Sequence, residues 1–302
     1  MNASDTVFEQ WNPSLRWAWQ PVIDSELVLG RPLDQRPPRN VPILTGFSTN
    51  EGSMYVPRNL STDREFDAFF DTLLPQVAPA RGNGSQSIAS VYPADEYVEW
   101  RSSVGKEFRR LEAAYGQYAY SCAVRQTAEV FSSSSDETDA NTTAPPAPPA
   151  PTAATATTAT TKTPAPSPAP VYLFHWAVNR TVLGGAAHGD YMAYETMDAT
   201  VRAISPTQRE IATLFHGYIT NFIVSGNPNS DTDDGDDDNT NSPHGAPRWR
   251  PVQNGTKTLV FGLGNDERAG GVEIGVAAQF IRDGWASDEC AFWHGLSRRY
   301  ED

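Results

Sequence analysis

The chain has 302 residues, of which 39% are apolar and 11% aromatic, with 24 prolines and 8 tryptophans. That length fits one large domain or two ordinary ones, and the aromatics call for a substantial packed region beside much sequence that is not core. A net charge of -14 argues against nucleic acid or an anionic membrane as partner, since both need basic surface.

The first residues, Met1-Asn-Ala-Ser-Asp-Thr-Val7, lack the basic and apolar regions of a signal peptide, and no apolar run approaches bilayer length. Residues 1–40 read as extended and turn-rich, because Pro21, Pro32, Pro37 and Pro38 forbid a long helix. Residues 42–47 form a short apolar run that fits a buried strand. Helical spacing follows from Phe66 to Leu74, with capping residues in Ser61-Thr-Asp-Arg-Glu65. After the turn Tyr92-Pro-Ala-Asp95, the spacing of Val104, Phe108, Leu111, Tyr115, Tyr118 and Cys122 predicts a long helix from about 104 to 131.

Residues 132–169 are low-complexity Ser and then Ala/Thr/Pro sequence. They bury too little to offset the entropy of ordering, and read as a disordered, O-glycosylated insertion. Residues 171–178 resume as a strand. Ser205-Pro-Thr-Gln208 reads as a capping box opening a helix to about Val224, and Gly226-Asn-Pro228 stops it. A second insertion, 230–247, contains Asp231-Thr-Asp-Asp-Gly-Asp-Asp-Asp238. It fails as an EF-hand, with Gly235 at the fifth position and no Glu at the twelfth, so it reads as a solvated acidic loop. The chain closes with a strand at 258–262 and a helix at 285–300. Residues 1–302 read as a portion of one domain, with about three strands and no metal site.

Six Asn-x-Ser/Thr sequons occur, at Asn2, Asn59, Asn83, Asn141, Asn179 and Asn254. A Ser/Thr-rich chain also generates them by chance. Asn59, Asn83, Asn179 and Asn254 are the glycosylation candidates. The two cysteines, Cys122 and Cys290, either pair across the chain in an oxidising compartment or stay as buried thiols.

Two residues carry the chemistry. Glu51 lies in Val41-Pro-Ile-Leu-Thr-Gly-Phe-Ser-Thr-Asn-Glu-Gly52, where a buried strand breaks into a polar turn. His188 lies in Gly184-Gly-Ala-Ala-His-Gly-Asp190, after the second apolar strand. Each alone is a weak signal. Together they are an acid and a histidine leaving successive strands of an alternating α/β chain, where strand-end loops converge. That is two thirds of an acid–His–Ser triad. No Gly-x-Ser-x-Gly elbow occurs in the 302 residues. Ser48 and Ser53, beside Glu51, are not on an elbow and read as turn residues. His175, His216, His244 and His294 fall in a strand, a helix, the acidic insertion and the last helix.

The chain resembles the C-terminal half of a type-B carboxylesterase, the family of fungal lipases and cholinesterases. Pro21-Val-Ile-Asp24 is similar to the family's Pro-Val-Val-Asp-Gly, although Ser25 replaces the glycine. Residues 40–52 resemble its acid-bearing strand and turn, and Tyr92-Pro-Ala-Asp95 its Tyr-Pro-x-Asp turn. Tyr218-Ile-Thr-Asn-Phe-Ile-Val-Ser-Gly-Asn-Pro-Asn229, followed by Trp249, resembles a further family motif. The resemblance runs from about residue 20 to 298, outside the two insertions. Tyr191 stands where the family often has an acidic residue.

The resemblance implies a partial α/β-hydrolase fold, with Glu51 as triad acid and His188 as general base. It also implies a Cys122–Cys290 disulfide. The nucleophile elbow and Gly-rich oxyanion loop belong to the family's N-terminal half, so the expectation is a truncated gene product, inactive by itself and poorly folded alone. Its complete parent would be a secreted hydrolase of small-molecule or lipid esters, using no cofactor and binding no nucleic acid. The competing expectation is a non-catalytic interaction glycoprotein on the same fold, which would have no reason to retain Glu51 and His188.

Overall fold

The computed structural model of the chain describes residues 22–34, 41–75, 77, 87–99, 101–133, 169–178, 185–229, 247–252, 257–263, 276–282 and 284–300. Asn83, Asn179, Asn254, His244 and nearly all of both insertions lie outside them. Among the described residues, no helix is long and apolar enough to cross a membrane.

A four-stranded sheet of order β1-β2-β3-β4 organises the chain. Its strands are β1 (Ile43–Ser48), β2 (Val171–Trp176), β3 (Lys257–Leu263) and β4 (Val276–Arg282). β1 and β2 run parallel, from Ile43 opposite Val171 to Ser48 opposite Trp176. β2 and β3 are also parallel, and β3 and β4 antiparallel. The first three strands match the sequence expectation within two residues. β4 was not expected, since its Val-Ala-Ala-Gln-Phe stretch has no clear alternation; pairing with β3 defines it.

β2 is buried at every position, as a strand covered on both faces should be. Its side chains alternate between two layers. Tyr172, Phe174 and Trp176 join Trp249, Phe261 and the helix α4 (Pro206–Ser225) through Ile211 and Phe215. Val171 and Leu173 join Phe47 and Ala128 on the other face. Each large apolar side chain so buried contributes roughly 1.5–3 kcal/mol.

Among the described residues, the other helices of more than six residues are α1 (Asp63–Leu73), α2 (Phe108–Gly116), α3 (Cys122–Ser132) and α5 (Ser287–Tyr300). Phe66 and Phe70 of α1, Leu111 and Tyr115 of α2, and Trp293 of α5 pack in one further cluster. Thr62 caps α1 with a full capping box, the Glu65 carboxylate accepting from the Thr62 amide at 3.0 Å. The equivalent box at α4 is only half made. Ser205 Oγ accepts from the Gln208 amide at 3.1 Å, but the Gln208 side chain turns into the core and finds no hydrogen-bond partner among the described residues.

The long helix expected over 104–131 starts later and is broken by a π-turn, Gln117–Ser121, between α2 and α3. Such a turn inserts an extra residue into the helical register, and it is common beside functional sites. Cys122, just after it, is disulfide-bonded to Cys290 of α5. His294 of α5 also donates from Nε2 to the Cys122 carbonyl at 2.9 Å. The C-terminal helix is thereby fixed against the middle of the chain.

Candidate active site

The acid turn begins where β1 ends. The Thr49 amide still bonds to the Trp176 carbonyl at 2.9 Å, and the chain then folds into a short 3-10 turn, Glu51–Met54. Helix α2 lies directly against this turn. A Cβ on Gly52 would fall 2.2 Å from the Glu112 carbonyl oxygen, and one on Gly116 would fall 2.6 Å from the Gly52 nitrogen. Only a pair of glycines allows helix and turn to approach so closely.

The histidine loop is folded by its own residues. Asp190 Oδ2 accepts from the Ala187 amide at 2.8 Å, and Gly189 takes φ 75°, a left-handed conformation that a side chain would disfavour. A parallel bridge between Asn50 and Ala187 joins this loop to the acid turn. The outcome is a contact of 2.5 Å between Glu51 Oε2 and His188 Nδ1, across 137 positions of sequence.

Glu51 is only 4% exposed. Its other oxygen accepts from the Ser48 amide at 2.5 Å. Burial raises the carboxyl above the usual range, against the opposing pull of the Ser48 amide and the His188 ring. An ionised Glu51 can only accept, so the ring proton must sit on Nδ1. That leaves Nε2 with a lone pair. The His188 side chain is 37% exposed, and among the described residues nothing hydrogen-bonds Nε2. Tyr55 and Tyr120 wall the ring, with centroids 5.5 and 4.6 Å away. Burial, and then the Tyr55 hydroxyl, push Tyr120 above the ordinary tyrosine range, keeping it neutral. The arrangement is a half-exposed histidine held in one tautomer, with Nε2 free of hydrogen bonds among the described residues.

Ser48 and Ser53 are buried, with hydroxyls lacking partners among the described residues, so neither is placed to meet a substrate. His175 packs in a three-ring cluster with Phe47 and Trp285, each centroid 4.8 Å away, and bonds to Thr49 Oγ1 at 2.8 Å. Burial, then Arg125, lowers its pKa to about 4 and keeps it neutral. His216 and His294 sit in α4 and α5, and Asn59 is exposed. Tyr191 packs edge-on against Phe174.

Sequence reasoning missed Asn50, Glu112, Asp190 and Tyr120. Asn50 and Asp190 flank the two residues it found, but flanking polar residues in loops carry no signal of their own. Glu112 lies within the expected helix, where its residue type alone carries no sign of burial. Among the described residues, no three His, Cys, Asp or Glu side chains are grouped to hold a metal ion.

Comparison with known proteins agrees with this architecture. The pattern of the carboxylesterase family matches residues 2–293. Secreted lipase 4 of Gibberella zeae is 25% identical over 244 residues, covering 76% of this chain and 35% of the lipase. The crystal structure of Aspergillus niger EstA superposes with a TM-score of 0.58 at 18% identity, covering 95% of this chain and 46% of that one. The chain therefore spans less than half the length of either protein.

Proposed function

This chain belongs to the carboxylesterase family, and we propose that it carries the acid and the general base of a carboxylic-ester hydrolase. The 2.5 Å contact between Glu51 and His188 supports this reading above all else. His188 Nε2 would take the proton of a nucleophilic serine and return it to the leaving alcohol. Glu51 would hold the Nδ1–H tautomer and stabilise the imidazolium that forms. The serine would come from a Gly-x-Ser-x-Gly elbow, which these 302 residues do not contain. We therefore read the chain as the C-terminal part of a longer enzyme, bearing low-complexity insertions and acting on small-molecule or lipid esters. The name of the Gibberella relative, a secreted lipase, supports an extracellular site for that enzyme, where the disulfide would persist and the sequons would carry glycans.

The test begins with the reading frame upstream of Met1. If that frame encodes an elbow, the extended chain should hydrolyse a chromogenic ester, and the 302-residue chain should neither turn it over nor react with a fluorophosphonate. In the extended chain, His188→Ala should cost roughly 10⁶-fold in kcat and Glu51→Ala roughly 10⁴-fold, as triad deletions do elsewhere. Turnover that survives His188→Ala, or that the 302-residue chain performs alone, would sink the proposal.

A further inference from the structure

We infer that Glu112 is a positioning residue that acts through Asn50 to hold the His188 loop against the acid turn; the inference rests on reading Glu51 and His188 as the acid and base. Glu112 sits on α2, is 3% exposed, and touches neither Glu51 nor His188 by a hydrogen bond. Its Oε1 accepts from Asn50 Nδ2 at 2.9 Å. Asn50 Oδ1 in turn accepts from the Ala186 amide at 3.0 Å, and the Asn50 amide donates to the Ala186 carbonyl at 2.8 Å. Asn50 thus grips the histidine loop with side chain and backbone, one residue before the acid and two before the histidine.

The polarity of this relay is set by Glu112. An amide side chain has one accepting and one donating end. An ionised carboxylate accepts only, so it draws the Nδ2 end of Asn50 toward α2 and leaves Oδ1 facing the Ala186 N–H. With the amide reversed, two donors would meet at Ala186. Space is equally constrained. A Cβ on Gly185 would lie 2.2 Å from Asn50 Oδ1, so the loop closes on Asn50 only because Gly185 has no side chain. The charged groups around Glu112 are Arg109 on the same helix, 3.7 Å from Oε1, and Arg101 and Glu99 from the segment before α2.

Reversing the relay gives the test. In Asn50→Asp two carboxylates face each other and nothing donates. In Asn50→Asp combined with Glu112→Gln, the new glutamine donates and the new aspartate accepts from it and from Ala186. Long-range proton–nitrogen spectra of the full chain, at about pH 8 where carboxylates are ionised, show which ring nitrogen of His188 carries the proton. Assignment comes from the signal lost in His188→Gln. The parent should show the Nδ1–H form, and Glu51→Gln should abolish that preference. Asn50→Asp should reduce the ratio of Nδ1–H to Nε2–H about tenfold, the effect of losing one buried hydrogen bond to a charged partner. The double variant should restore it. Glu112→Ala is a second arm, expected to act like Asn50→Asp. Circular dichroism and an intact disulfide establish folding of each variant. A parent-like ratio in both folded single variants, or a folded double variant without rescue, overturns the role of Glu112. A parent lacking the Nδ1–H form, or one indifferent to Glu51→Gln, overturns the catalytic pair itself.

Discussion

Glu112→Gln should make the chain more stable at alkaline pH and leave it nearly unchanged in acid. Burial pushes the Glu112 carboxyl from 4.5 up to about 7, outweighing Arg109, the Asn50 amide and Arg101, which all favour the charged form. The native state therefore holds this proton more tightly than the unfolded chain. The stability so gained is fully present below about pH 4.5 and is lost as the pH rises to about 7. A gap of about 2.5 pH units corresponds to about 3 kcal/mol. Glutamine keeps an acceptor for Asn50 Nδ2 and carries no charge to desolvate. That gap is already net of the Arg109 pair, so the expectation is a gain of about 3 kcal/mol at about pH 8 that vanishes near pH 4. Urea unfolding followed by tryptophan fluorescence, with the disulfide intact, measures it across that range. A difference that is constant with pH, or that grows as the pH falls, would refute the assignment of the raised carboxyl to Glu112.

Replacing both Cys122 and Cys290 with alanine should cost about 3–5 kcal/mol, because the bridge closes a loop with sequence separation 168 and constrains the unfolded chain accordingly; the midpoint of urea unfolding gives the value, and a loss below about 1 kcal/mol would contradict it. Gly116→Ala should destabilise by about 1–3 kcal/mol, since its Cβ would lie 2.6 Å from the Gly52 nitrogen and the acid turn would have to move. The same variant should also weaken the Nδ1–H preference of His188, and a parent-like spectrum would show that α2 does not brace the turn.

Much of the site's outline was legible because its signals are local. The apolar run before Glu51 and the one before His188 each specify a strand, and a polar residue just beyond a strand end falls on the sheet's loop edge. Thr62 and Glu65 announce the start of α1 within a few residues of sequence. Periodicity failed where a neighbour, not the chain itself, sets the geometry. The π-turn that aims Tyr120 at His188 interrupts a pattern that reads as one continuous helix. Gln208 has the identity of a capping residue, yet the core beneath α4 takes its side chain.

From the sequence alone came the α/β alternation, the acid and the histidine, and the two cysteines that form a bridge. Each depends on residue type and near neighbours. The tertiary structure decided whether Glu51 and His188 meet, which ring nitrogen the carboxylate holds, and that β4 extends the sheet. It also made Glu112 a buried partner of Asn50. Those outcomes depend on groups separated by tens to more than a hundred positions, and a burial or hydrogen bond shared across such distances has no period or motif to betray it.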